Sequence, residues 1–377
     1  MNINKVKRIV FKFGTNVLRN EDKEISLSRI YSFIEDISKL HRKGKEIIII
    51  TSGAVGLGSK KLNVDSGESL SIKQACAAVG QCQLMSIYED GFNKYSINTA
   101  QILLTEDDFS NRVRYLSLSN VLNTLLELKV IPVINQNDTV SVTELAETGN
   151  PLYGVSFSDN DKLSALVASK LDADLLVILS DIDGLYNDNP KENPNAKLIP
   201  EVKEVTQEIE NYAHSASKGG RGGMRTKLEA AKVVTHSGGF VTIVNGKSPQ
   251  IIKRLFSGEK MGTIFYPAEQ LSQKRRWIAF ATNITGQIIV NEGAKKAVTK
   301  ENKSLLAIGV TKVKGIFSRG DVVSILDEYN NEFARGIANY DSTDCKKIIG
   351  MHSDNIYEIL GHKNYDAIIT KDNIALL

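Results

Sequence analysis

Cysteine is scarce and unpatterned in this chain: Cys76, Cys82 and Cys345 form an odd set with no CxxC spacing. Neither a disulfide framework nor a zinc knuckle is expected, and a reducing cytoplasm suits such a chain. The five histidines, His41, His214, His236, His352 and His362, lack metal-ligand spacing as well. No run approaches the roughly 20 apolar residues that cross a bilayer. The N-terminus is basic at Lys5, Lys7 and Arg8, but only Ile9-Val10-Phe11 follows before Lys12, which is no signal-peptide core. A cytoplasmic protein with no membrane partner is therefore expected. Internal repeats and low-complexity tracts are missing too. Charge of one sign is nearly absent: 47 Lys+Arg stand against 44 Asp+Glu, balanced at 32 and 32 over residues 1–273 and 15 against 12 over 274–377. So small an excess disfavours strong sequence-independent nucleic-acid binding. Finally, there is no Walker A loop: Gly246-Lys247-Ser248 spells its tail, but the place of the leading glycine is held by Val241.

What is present is ample apolar material: 377 residues, 42% hydrophobic and 24% charged, more than one core usually holds. Short β-branched runs at 8–13, 46–51, 99–104, 130–135, 174–179 and 240–245 alternate with amphipathic stretches at 28–43, 72–91, 111–129, 160–171 and 224–237. This order predicts an α/β fold, a three-layer αβα sandwich around an open, mostly parallel sheet. Ligands in such sheets bind beyond the carboxyl ends of the strands. The pattern changes near Gly262, Pro267 and a polar run, so a first domain at 1–265 and a second at 274–377 are expected, joined by a linker at about 266–273. The second domain shows short strands with turns at 286–290, 317–323 and 331–336 and is expected to be a small mixed β-barrel.

Five segments carry candidate chemistry. Lys12 sits in an apolar strand just before Gly14, where a buried ammonium implies a nearby anion; the plainer alternative is a snorkelling edge-strand lysine. Thr51-Ser52-Gly53-Ala54-Val55-Gly56-Leu57-Gly58 follows a run of four isoleucines, and its glycines would let backbone amides approach a ligand, or simply make a turn. Ser158-Asp159-Asn160-Asp161 precedes a helix and holds more polar groups than one N-cap uses. Asp161 could hold two lysines by charge-assisted hydrogen bonds, and Asn160 a substrate carboxylate or amine. Ser180-Asp181-Ile182-Asp183-Gly184-Leu185-Tyr186 is no calcium loop, because Leu185 occupies a ligand position; nucleotide recognition or an Asp-Gly turn remains. The glycine-rich stretch 214–227 carries Lys218, Arg221, Arg225 and Lys227 and suits an anion-cradling loop before a helix N-terminus. Lys227 in the first turn of that helix is unfavourable unless an anion compensates it, which argues against a merely disordered loop. Two fixed ammonium groups with glycine-borne amides suit phosphoryl transfer, and point to a small-molecule kinase outside the P-loop class.

Together Val10-Phe11-Lys12-Phe13-Gly14-Thr15, Thr51-Ser52-Gly53-Ala54, Val133-Ile134-Asn135-Gln136-Asn137-Asp138, Asp159-Asn160-Asp161, 180–186 and Gly222-Gly223-Met224-Arg225-Thr226-Lys227 resemble the amino acid kinase family, in its glutamate-phosphorylating branch. Phe317-Ser318-Arg319-Gly320-Asp321 resembles part of the PUA domain attached to many of these kinases. The resemblance implies phosphorylation of the γ-carboxylate of L-glutamate with ATP and Mg, the first step of proline biosynthesis. It also implies feedback inhibition by proline, a homo-oligomer (dimer or tetramer) and a transient hand-off to glutamate-5-semialdehyde dehydrogenase. It assigns Lys12, Asp161 and Lys227 to catalysis, with Ser52, Gly53, Asp138 and Asn160 on glutamate. Lys12, Ser180, Asp181 and the stretch Arg221, Gly222, Gly223, Met224, Arg225, Thr226 and Lys227 fall to ATP. Gln136, Ser158 and Arg221 depart from residues common in the family, the first bearing on substrate affinity or inhibitor response and the others on loop mobility. The alternatives are another carboxylate kinase of the same fold, for acetylglutamate or aspartate, and an RNA-binding protein acting through its PUA-like domain.

Overall fold

The computed structural model describes residues 3–22, 24–67, 69–141, 160–190, 192–215, 223–268, 270–281 and 283–377. They fall into two compact units, Met1–Gln270 and Leu271–Leu377. The first is built on β1 (Arg8–Phe13), β2 (Glu46–Ile50), β3 (Thr99–Leu104), β4 (Ile131–Gln136), β5 (Leu175–Ser180), β6 (Glu201–Val202), β7 (Phe240–Asn245) and β8 (Thr263–Phe265). Their order across the sheet is β3-β4-β2-β1-β5-β7-β8-β6, parallel throughout except where β8 runs antiparallel to β7. The chain lays down β2, β3 and β4 on one side of β1 and then crosses to β5 and β7 on the other. The carboxyl ends of β1, β2 and β5 therefore meet at the reversal point, where ligands bind in open α/β sheets.

Strand periodicity decides what each face receives. Ile9, Phe11 and Phe13 pack, with Ile47, Ile49, Leu175 and Val177, into one core that includes Ile30, Phe33, Ile34 and Ile37 of the Leu27–Arg42 helix. Successive strand residues point to opposite faces. Val10 and Lys12 accordingly face the other layer, where the Asn160–Lys170 helix lies. The register sets Lys12 between Ile50 of β2 and Ile178 of β5, so its stem is covered on both sides and the residue is 3% exposed.

Two helices lie unusually close. A Cβ at Gly58 would fall 1.8 Å from the Cys76 carbonyl oxygen, and one at Gly80 the same distance from that of Ala54. The Ala54–Leu62 helix is thus packed backbone to backbone on the Leu70–Asn93 helix, which Ser69 caps by accepting the Ile72 N–H at 3.2 Å. Such contact is open only to glycine. Gly58 was expected to let amides approach a ligand; its place is this helix contact. A Cβ at Gly56 would meet the Arg19 guanidinium at 2.6 Å.

The second unit has its own mixed sheet of β9 (Gly286–Val290), β10 (Val310–Gly315), β11 (Val322–Leu326), β12 (Glu332–Ile337) and β13 (Ile374–Leu376), in the order β10-β9-β11-β12-β13. β9 and β11 are parallel, the other pairs antiparallel. Its core contains Ile288, Val323, Ile325, Tyr340 and Ile369. The strand expected over 317–323 starts only at Val322. Ahead of it the Ser318 N–H donates to Asp321 Oδ2 at 2.8 Å and Gly320 takes φ +96°, a turn that a strand cannot contain.

Candidate active site

Lys12 at the end of β1, Asp161 in the first turn of the Asn160–Lys170 helix and Lys227 in the first turn of the Met224–Thr235 helix converge on one point. Asp161 is fully buried, its Oδ1 2.6 Å from the Lys12 ammonium and its Oδ2 3.0 Å from that of Lys227. The Thr226 hydroxyl lies 2.9 Å from Asp161 Oδ2 and 2.9 Å from the Gly223 carbonyl oxygen. Burial pushes the Asp161 carboxyl up, but the two lysines outweigh it and hold the group well below the usual carboxylate range. The anion demanded by a lysine in a helix's first turn is therefore Asp161. Both ammoniums are thereby held out of water on one carboxylate.

Ser52, Gly53 and Asn160 gather beside it. The Ser52 hydroxyl lies 3.1 Å from the Phe13 carbonyl oxygen and 3.2 Å from the Thr15 hydroxyl, joining the ends of β1 and β2. Gly53 takes φ +104° as the N-cap of the Ala54–Leu62 helix. The Asn160 amide donates from Nδ2 to the Thr51 carbonyl at 2.7 Å and to Asn135 Oδ1 at 3.2 Å. Asp138 sits in the turn after β4, partly exposed. Ser158 and Asp159 lie outside the described residues, as do Arg221 and Gly222.

A cavity of about 170 Å³ opens at the end of β5, lined by Ser180, Asp181, Leu185, Tyr186, Met224 and Lys227 among others. That is less than the roughly 300–1,000 Å³ of whole-ligand pockets, so it suits part of a nucleotide, with Lys227 joining it to the charged cluster. Asp181 Oδ2 accepts the Asn16 amide at 3.0 Å. Burial raises its pKa, yet that hydrogen bond, together with Lys227 and Lys247, brings it below the usual range. Gly223, the N-cap of the Met224–Thr235 helix, is also on the wall. Arg225 and Thr226 are not on this wall: Arg225 pairs with Glu229 at 3.1 Å, and Thr226 serves Asp161. Asn16, Thr15, Gln81 and Asn135 were not singled out as site residues. Thr15 ends the Val10-Phe11-Lys12-Phe13-Gly14-Thr15 motif, Asn16 adjoins it and Asn135 lies inside the Asn-Gln-Asn-Asp stretch, whereas Gln81 stands near no local signal.

The family model described as the amino acid kinase family matches residues 7–245, and that of the PUA domain residues 286–360. Curated relatives are similar end to end. The glutamate 5-kinase of Caldanaerobacter subterraneus is 44% identical over 373 residues, 98% of either chain. That of Geobacter sulfurreducens is 42% identical over 378 residues, 100% of this chain and 99% of its own. That of Methanococcoides burtonii is 43% identical over 377 residues, 99% and 98% of the two chains. Among solved structures, the carbamate kinase of Giardia lamblia bound to AMP-PNP superposes with a TM-score of 0.51 at 17% identity, covering 70% of this chain and 99% of its own. At that identity the likeness speaks for the fold alone.

Proposed function

The chain belongs to the amino acid kinase family, among its glutamate 5-kinases, and from that premise we propose that Lys12, Lys227 and Asp161 are the charge centre of its reaction. The enzyme is a phosphotransferase with a carboxyl group as acceptor: it converts L-glutamate and ATP into L-glutamyl 5-phosphate and ADP, the first step of proline biosynthesis. A γ-carboxylate oxygen attacks the γ-phosphorus, the bond from that phosphorus to the bridging oxygen breaks, and ADP departs with the electron pair. A carboxylate is already a nucleophile at neutral pH, so no general base is assigned. Catalysis comes from in-line placement and from neutralising the charge spread over the γ-phosphoryl oxygens. The observation that carries the assignment is the convergence of both ammonium groups on buried Asp161.

Asp161 keeps both ammoniums in place before substrate arrives, so little reorganisation is left for the transition state. Both of its oxygens are engaged by lysines, which leaves it unsuited as a metal ligand. Among the described residues no three His, Cys, Asp or Glu side chains form a metal cluster. Mg would be held largely by the ATP phosphates and water and would neutralise phosphate charge there; Asp181 is a carboxylate on the cavity wall. Ser180, Asp181 and the start of the Met224–Thr235 helix hold the nucleotide; Ser52, Gly53, Asp138 and Asn160 hold glutamate.

The same reading includes feedback inhibition by proline, a dimer or tetramer, and hand-off of the product to glutamate-5-semialdehyde dehydrogenase, since an acyl phosphate is quickly lost to water. No described helix is long and apolar enough to cross a membrane, and a cytoplasmic location goes with the reading. An ADP-coupled assay with free glutamate, N-acetylglutamate and aspartate is the test. Turnover of glutamate is expected; turnover of one of the other two in its place would overturn the substrate assignment.

A further inference from the structure

Asn160, Asn135, Gln81 and Gln101 form a chain of side-chain amides whose directions are fixed by backbone groups at its first two members. The Gln136 N–H donates to Asn135 Oδ1 at 2.9 Å, so that atom is the oxygen and Asn135 Nδ2 faces away from it. Asn135 Nδ2 then donates to Gln81 Oε1 at 3.0 Å, and Gln81 Nε2 donates to Gln101 Oε1 at 3.2 Å. At the other end Asn160 meets two acceptors, the Thr51 carbonyl and Asn135 Oδ1, so it must turn its Nδ2 to them. Side-chain amides look alike when turned over, and only such a network tells oxygen from nitrogen. The consequence falls on Asn160 Oδ1, a buried acceptor with no hydrogen-bond partner among the described residues. An unsatisfied buried acceptor is costly, and a site that keeps one keeps it for a donor.

We propose that Gln81 is a positioning residue: through Asn135 it holds Asn160 with its carbonyl presented to the α-ammonium of the bound amino acid. This rests on Asn160 belonging to the glutamate site, as in the proposed function. Gln81 is buried on the Leu70–Asn93 helix, one residue after Gly80, whose close approach to Ala54 pins that helix beneath the 51–53 turn. Gln101 is exposed on the edge strand β3 and closes the relay at the surface. Without Gln81, Asn135 Nδ2 loses its acceptor, and the amide of Asn160 loses the pull that orients it.

The test is steady-state kinetics on the full-length enzyme. Gln81→Met, of similar length and apolar, is expected to raise KM for glutamate about tenfold, the effect of one lost hydrogen bond near 1.4 kcal/mol, with KM for ATP and kcat within about twofold of the parent. Gln81→Glu keeps the acceptor for Asn135, and the exposed Gln101 can turn over to meet it, so KM for glutamate should stay within about threefold of the parent. A further readout separates orientation from general damage. Glutarate, which is glutamate without its amine, should inhibit Gln81→Met and the parent with similar Ki while glutamate weakens. Equal weakening of glutamate and glutarate, or unchanged KM for glutamate in Gln81→Met while Asn160→Ala raises it, overturns the relay and leaves the site assignment standing. If Asn160→Ala also leaves KM for glutamate unchanged, both fall. Should Gln81→Met not fold, Gln101→Leu decides: the same glutamate-selective rise, about two- to threefold, supports the relay, and no change refutes it.

Discussion

Replacing Lys227 by methionine separates what this residue does for turnover from what it does for the fold. Methionine keeps the unbranched stem and deletes the charge. Asp161 retains Lys12 at 2.6 Å and the Thr226 hydroxyl at 2.9 Å, so its carboxylate is not left bare. At an effective dielectric near 20, the 3.0 Å contact of Lys227 with Asp161 gives about 5.5 kcal/mol of attraction. That attraction is of the same order as the several kcal/mol needed to take an ammonium out of water. The Lys227–Asp161 contact is therefore close to neutral for the stability of the ligand-free protein. Lys227→Met is expected to melt at the parent's temperature or a few degrees above it in calorimetry without nucleotide. Its kcat, from an ADP-coupled assay at saturating glutamate and MgATP, should fall by on the order of 10² or more, the scale for one lost preorganised donor. Near-parental kcat would remove Lys227 from the chemistry. A melting point lower by more than about 5 °C would refute the electrostatic ledger, because it would show that Asp161 needs both lysines to stay buried.

Asp138→Ala should raise KM for glutamate more than KM for ATP; a defect confined to ATP would exchange the two subsites. Gly80→Ala places a methyl 1.8 Å from the Ala54 carbonyl oxygen, so the denaturation midpoint should fall by the equivalent of about 1–3 kcal/mol, the cost of overpacking. An unchanged midpoint would mean the two helices are not in backbone contact. In the second unit, the Lys295 ammonium and the Asn331 N–H hold the Asp327 carboxyl down at about 2. A depressed folded-state pKa contributes stability that is complete above the unfolded value of about 3.9 and is lost as pH falls from there toward the folded one. Asp327→Asn should flatten that acid limb in a circular-dichroism pH series, and an unaltered limb would exclude the Lys295 contact as its cause.

Features written into short stretches of chain were legible in the sequence, and those created by long-range packing were not. β1, β3 and β7 occur where alternating β-branched runs place them, and the Met224–Thr235 helix starts where the glycines stop. The Ala54–Leu62 helix was missed because Gly56 and Gly58 are poor helix formers and look like a loop. What stabilises it is the Leu70–Asn93 helix lying against it, a contact no local window contains. β6 and β8, of two and three residues, are too short for any periodicity to register.

The site divides along the same line. Lys12 and Lys227 are conspicuous because each breaks a local rule, one by sitting in a buried strand and the other by opening a helix with a cation; both breaches are resolved by one carboxylate. Gln81 and Gln101 break no such rule. A glutamine on a long helix and another on an edge strand are ordinary surface choices, and only the fold turns Gln81 inward onto Asn135. Arg225 errs in the opposite sense: it stands in the glycine-rich basic motif, yet the 100° step between neighbouring helix residues carries it off the cavity wall to Glu229, while Met224 and Lys227, three apart on one face, line that wall. Helical phase is what selects among the residues of this motif. Removal of Glu229 should therefore free Arg225 without changing KM for ATP, whereas shifting the helix by a one-residue insertion before Met224 should abolish turnover.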